Sequence, residues 1–145
     1  MEQTGIPQKK KNIGVIVGVA TFLVVSVVVQ QLFFKPATFD KAMMEAASEL
    51  NKSCPLMVDQ DTRLDNAAAM PGNVFQYNYT LVNYDQSEIV PDTLKKYLEP
   101  GIINTIRTNP DMKIYRDNNV TIAYQYKDKN GVFLLKILVK PDQYK

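Results

Sequence analysis

The hydrophobic positions of this chain fall into three rhythms, and each predicts a different kind of element. From Ile13 to Phe34 (IGVIVGVATFLVVSVVVQQLFF) the chain carries no charged side chain. At about 1.5 Å per residue this run makes about 33 Å of helix, enough to cross a hydrocarbon core of about 30 Å. Twelve of the residues from Ile13 to Val29 are Val, Ile, Leu or Phe. Such β-branched content favours strand in water, but in lipid an uninterrupted apolar run satisfies its backbone only as a helix. A transmembrane helix is therefore predicted over residues 12–34, between a polar basic stub at 1–11 and a domain at 35–145.

The second rhythm is helical. After Thr38, a suitable N-cap, FDKAMMEAASELNK puts Phe39, Ala42, Met43, Ala46 and Leu50 on one face and Lys41, Glu45, Glu49 and Lys52 on the other. A second helix opens at Pro91, with Asp92 at the positive end of its dipole, and Leu94, Tyr97, Leu98, Ile102 and Ile106 share its apolar face. Pro100-Gly101 predicts a kink or two short helices, and Asn109-Pro110 a stop.

The third rhythm is alternation. Thr62–Met70 and Asn73–Asn83 read as strands around a Pro71-Gly72 turn, with Phe75, Tyr77, Tyr79 and Leu81 on one side. Val120, Ile122, Tyr124 and Tyr126 alternate with Thr121, Ala123, Gln125 and Lys127; Asp128-Lys129-Asn130-Gly131 then turns the chain into Val132–Lys140. Asp111–Tyr115 reads as a short strand and Pro141–Lys145 as a polar terminus. The order helix–hairpin–helix–hairpin predicts an α+β domain: an antiparallel sheet of four or five strands with two helices on one face.

Charge orients the apolar run. Lys9, Lys10 and Lys11 precede it and only Lys35 follows closely, which places the N-terminus in the cytoplasm and residues 35–145 outside. The competing reading, a cleaved signal peptide, lacks a small-x-small site after the core: Val28, Val29, Gln30 and Gln31 stand there. The expectation is an uncleaved, single-pass signal-anchor in a bacterial inner membrane, with Lys9–Lys11 against anionic headgroups. Gly14, Gly18 and Thr21 lie on one face of the helix. They form a stripe on which two helices can pack, although membrane helices carry glycine commonly without pairing.

Composition narrows the chemistry. Residues 36–145 hold thirteen basic and fourteen acidic side chains, so the basic excess belongs to the N-terminal stub, and a near-neutral domain without a basic run excludes nucleic acid as partner. The chain has no His and one Cys, which removes the usual acid–base group of neutral pH and any internal disulfide. No cofactor or metal is expected. Asp59, Asp61 and Asp65 resemble a calcium loop in spacing, but Arg63 stands where a ligand belongs and no closing Glu follows. Glu45 and Glu49 lie on one helix face beside Lys41 and Lys52, an ordinary solvated pattern. Cys54 reads as a buried small hydrophobe or as an unpaired thiol open to an intermolecular bond; as a nucleophile it would need Lys52 or a helix terminus to activate it, since the chain has no His. The sequons at Asn51, Asn78 and Asn119 are discounted, the last two falling at predicted strands.

Tyr77, Tyr79, Tyr84, Tyr124 and Tyr126 are the candidate interaction residues. Facing outward, they would offer a rigid aromatic surface to a protein or glycan. Facing the helices, they are core with hydroxyls at the rim, and the wet alternation Thr121, Ala123, Gln125, Lys127 favours that side.

The segments LNKSCPLMVDQDTRLD, FQYNYTLVN, IRTNPDMK and IAYQYKDKNG, spread over residues 46–139, resemble a group of small secreted or membrane-anchored bacterial proteins without an assigned activity. The resemblance implies a bacterial envelope location and transfers no catalytic residue. The functional expectation is a membrane-anchored interaction module, an accessory subunit of an envelope assembly with lipid and a protein as partners, that protein being a component of the assembly or a second copy of this chain, and not an enzyme. A small-ligand or sensory domain would need a concave pocket between helices and sheet. A carboxylate- or Tyr-dependent enzyme would need titratable groups converging in a cleft.

Overall fold

The computed structural model describes residues 39–145. Its first helix, α1 (Phe39–Asn51), buries Ala42, Met43, Ala46, Ala47 and Leu50, the stripe that a 3.6-residue period dictates. β1 (Leu56–Met57) and β2 (Thr62–Met70) follow, and a tight turn leads into β3 (Val74–Leu81). That turn holds Gly72 at φ +82° and Asn73 at φ +59°, left-handed geometry that Gly adopts freely and Asn more readily than most residues. A short 3₁₀ turn precedes α2 (Pro91–Thr108); a second, Pro110–Met112, leads into α3 (Lys113–Asp117). β4 (Thr121–Lys127), β5 (Phe133–Val139) and α4 (Pro141–Tyr144) complete the order.

The five strands lie in one sheet in sequence order, β1-β2-β3-β4-β5. The expected antiparallel sheet is corrected here: β3 and β4 run parallel, with Tyr77 opposite Tyr124 and Tyr79 opposite Tyr126, while the other neighbours are antiparallel. The reason is the connection. Between β3 and β4 the chain travels through α2 and α3 and returns to the end where β3 began, the helical crossover that parallel neighbours require. Both long helices feed one core with the inward side chains of β2 to β5, so the helices share a face as expected.

The other face of the sheet is polar and internally bonded. Asn78 donates to Asn66 Oδ1 (2.7 Å), Gln76 donates to Asn78 Oδ1 (2.8 Å), and Lys136 Nζ donates to Gln76 Oε1 (2.7 Å). These bonds link side chains of β2, β3 and β5.

Three local expectations are also corrected. α2 is continuous through Pro100, because Pro100 and Gly101 lie on the solvent side while Leu94, Leu98, Ile102 and Ile106 stay buried across the break; Tyr97 is 56% exposed and off the buried face. Asp111–Tyr115 is helical, not strand. The Asn109 side chain accepts from Asp111 N (2.9 Å), and Arg116 Nη1 donates to the carbonyls of Ile106 (2.6 Å) and Asn109 (2.8 Å). The C-terminal segment, expected as a polar terminus, forms a short helix whose Tyr144 is 1% exposed and donates its hydroxyl to Val120 O (2.7 Å).

The predicted membrane helix over 12–34, with Gly14, Gly18 and Thr21, and the stub with Lys9, Lys10 and Lys11 lie outside the described residues. Among the described residues no helix is long and apolar enough to cross a membrane. The fold class of 39–145 is therefore α+β with a mixed sheet and no membrane-crossing element.

Candidate interaction surface

The tyrosines come together, but inside. Tyr77, Tyr79, Tyr124 and Tyr126 are at most 1% exposed, so the outward aromatic surface is corrected to a core stack. Parallel pairing of β3 with β4 puts their rings side by side: centroids are 5.5 Å apart for Tyr77–Tyr124 and 5.3 Å for Tyr79–Tyr126, and Tyr79 and Tyr124 stack at 5°. Phe75 continues the row at 5.0 Å from Tyr77 and 5.5 Å from Tyr115, whose hydroxyl shares a hydrogen bond of 3.3 Å with that of Tyr77. Such contacts add to area burial by about 0.5–1.5 kcal/mol per pair. Burial pushes the phenols of Tyr77, Tyr79 and Tyr124 well above their ordinary value, and Tyr115 up to about 12. Their rings pack in the one core shared by sheet and helices. Tyr84 stands apart, half-buried near Asp61 and Glu88.

The other sequence candidates are likewise occupied. The Oδ1 of Asp59 accepts from Asp61 N (2.8 Å) and Thr62 N (2.7 Å), Asp61 accepts from Asn83 (2.7 Å), and Asp65 accepts from Arg63 (2.6 Å) and Thr80 (2.6 Å). Each carboxylate has at least one oxygen turned to a partner, Asp59 Oδ2 being buried without one, and among the described residues no acidic or thiol cluster is arranged to hold a metal. Glu45 and Glu49 pair with Lys41 and Lys52 on the helix surface. The Cys54 thiol is pushed up by burial and then by the negative charge of Asp65, which makes it a poor nucleophile, and Sγ–H donates to Leu50 O (3.4 Å). Asp128 is fully buried. Burial raises its carboxyl, but N–H groups of Val132 (2.8 Å), Gln86 (3.0 Å) and Asn130 (2.8 Å) outweigh that and leave it below the ordinary range.

What the surface offers lies at the rims of the sheet. On the β2 side β1 covers only Arg63 and Leu64, a bulge follows between Leu64 and Asn66, and the Asn51 carboxamide then seals Ala67. It donates to Ala67 O (2.8 Å) and accepts from Ala67 N (2.7 Å), as a neighbouring strand would. Beyond it, Met43, Met44, Ala69, Met70 and Pro71 line a cleft of about 280 Å³ between α1 and the β2–β3 turn.

On the opposite side β5 is the terminal strand. Among the described residues, backbone hydrogen bonds of Phe133–Val139 run to β4 and to no other element. Phe133 is 57% exposed and Leu138 44%. No local pattern of residues marks either edge. An apolar strand at the C-terminal end of the sheet is readable in the sequence, but its position as an edge is not.

No curated relative matches the chain by sequence. In fold it is similar to the type II secretion system pilotin EpsS of Vibrio vulnificus, at 11% identity and TM-score 0.58, over 81% of this chain and 96% of that one. It is also similar to the pilotin AspS of Vibrio cholerae, at 14% identity and TM-score 0.53, over 72% and 90%. A Pseudomonas aeruginosa protein described as secreted shares 9% identity at TM-score 0.55, over 77% and 100%. At such identities the likeness is one of fold. Residues 38–135 match the family described as a domain of unknown function, DUF8479, and the chain belongs to that family.

Proposed function

We propose that this protein is a non-enzymatic accessory subunit of a bacterial envelope assembly, working by binding another protein. The observation that carries the reading is the distribution of chemistry over the described residues. The displaced phenols of Tyr77, Tyr79, Tyr115 and Tyr124 are buried in the core, Asp85 and Asp128 are held below the ordinary range as acceptors of local hydrogen bonds, and half of the large exposed apolar side chains of the described residues, Met57, Met70, Phe133 and Leu138, lie at the rims of the sheet. Exposed apolar rims of this kind mark interaction sites. The fold shared with two type II secretion pilotins supports an envelope role.

The finer reading adds a place. On sequence alone, the run from Ile13 to Phe34 tethers the chain in a single pass at the inner membrane, Lys9–Lys11 hold the N-terminus inside, Gly14, Gly18 and Thr21 offer a helix-packing stripe, and residues 35–145 face outward. Crosslinking in native cells, extraction in mild detergent and purification of the full chain test the proposal. The expected result is one stoichiometric protein partner from the envelope. A strictly solitary chain overturns it.

A small-ligand domain is the weaker reading. The tyrosine stack occupies space between sheet and helices that a ligand would need, and the cleft beside α1 lies outside that layer.

A further inference from the structure

We infer that the free edge of β5 is a strand-addition site for an extended, acidic and apolar segment of the protein partner. The inference rests on the accessory-subunit reading and names the surface and the chemistry that this reading leaves open. Three observations carry it. β5 ends the sheet, so one row of its amides and carbonyls is free to pair with an incoming backbone. It is seven residues long, with an even ladder over Leu135–Val139 and a register shift at the Phe133 end, so an ordinary strand length of about five or six residues is available. The opposite edge carries a seal, the Asn51 carboxamide on Ala67, and β5 has no counterpart among the described residues.

Charge selects the occupant. Residues 118–145 carry five basic and two acidic side chains, whereas residues 39–70 carry three basic and six acidic. Lys136 and Leu138 project from the outer face of β5, since their partners Gln125 and Ala123 lie opposite the tyrosine side of β4. Lys140 follows, exposed, and Lys127 lies opposite Phe133 after a register shift in the ladder. Ion pairs among the described residues join Lys41 to Glu45, Lys52 to Glu49, Arg63 to Asp65 and Lys113 to Asp117, so none uses a lysine of this edge, and Lys136 has only the neutral Gln76 carboxamide as its hydrogen-bond acceptor (2.7 Å). An added strand would set every second side chain beside Lys136 and Leu138, a row that suits acidic residues alternating with apolar ones. The same lysines disfavour a second copy: pairing β5 with itself brings two lysine-bearing strands together.

The test titrates the full chain, in detergent micelles, with a synthetic peptide as long as β5 that alternates valine and glutamate. Controls are its lysine-for-glutamate counterpart and a version N-methylated at alternate amides. The inference expects saturable binding that weakens with salt, amide shifts centred on Phe133–Val139, and binding weaker by about tenfold for the lysine peptide. N-methylation should abolish binding. The double variant Lys136→Glu/Lys140→Glu, at exposed positions, should reverse the peptide preference while keeping the fold. Equal binding of all three peptides, shifts centred on the α1 cleft, or self-association through β5 without peptide binding would overturn it. A partner that co-purifies equally with wild type and double variant sinks this inference and leaves the accessory-subunit reading standing. A solitary wild-type chain sinks that reading itself.

Discussion

The two edges of the sheet solve the same physical problem in opposite ways. An edge strand presents unpaired amides and carbonyls that can template pairing with another chain. At β2 the chain spends a two-residue strand, a bulge and one side-chain amide to close the row. At β5 it leaves a seven-residue strand, even over Leu135–Val139 and shifted in register at its Phe133 end, with Phe133 and Leu138 exposed and, among the described residues, no side-chain amide closing the row. One fold that guards one rim and leaves the other open has marked the second as the place to bind. Exposed lysines make β5 soluble and choose what it accepts.

The perturbations that should damage both edges together are the largest. Tyr124→Ala opens a hole in the stack beneath the middle of the sheet, where the side chain is 1% exposed, and should cost about 3–5 kcal/mol in chemical denaturation. A loss confined to one edge would show that the stack does not hold the sheet as one unit. High pH acts on the same row. The phenols of Tyr77, Tyr79, Tyr115 and Tyr124 are raised in the folded state, so the unfolded chain ionises first, near pH 10. Their contribution is complete below that pH and disappears as pH climbs toward the folded values. Phenolate absorbance of these four should therefore rise together with unfolding, monitored by circular dichroism, rather than ahead of it.

Next come changes that separate the edges. Asn51→Ala removes both hydrogen bonds to Ala67 and should cost about 1–3 kcal/mol. It should also speed hydrogen exchange at Ala67 without altering β5. Asp128 ties the turn ahead of β5 to the Gln86 loop. Its folded carboxyl lies below the ordinary range, so its contribution is present above that range and fades as pH falls through the folded value. Acid titration followed by NMR should disturb Asn130 and Val132 before it disturbs Ala67. The smallest effect is expected from Leu138→Thr, an exposed position, with stability changed by no more than about 0.5 kcal/mol. If that change destabilises the fold strongly, Leu138 is part of the core and β5 is not an open edge.

Much of this was legible in the residues, and the rest was hidden for a physical reason. Alternation at Phe75, Tyr77, Tyr79 and Leu81, and again at Ile122, Tyr124 and Tyr126, found the strands and their buried side because a strand's faces are a local property. The stripe of α1 was found the same way. Pairing is not local. Whether β3 meets β4 parallel or antiparallel depends on where α2 and α3 return the chain, and that choice turned the tyrosines into one continuous stack. The local cost of Pro100 predicts a break, but burial of Leu98 and Ile102 on both sides of it holds the helix together. Tyr144 looked like tail because a single aromatic in a polar segment carries no period. The edges could not be read at all: Asn51 gives no sign in the sequence that its amide meets Ala67, and an edge exists only once the strand order is known.

Photo-crosslinking in native cells tests the central claim most directly, with a photoreactive residue placed at Leu138 in one strain and at Met70, near the guarded rim, in another. Both positions are exposed enough to accept it, at 44% and 42%. An open, binding β5 edge gives one discrete adduct with an envelope protein from position 138 and none from position 70. Adducts from position 70 alone, or the same adduct from both, would contradict it.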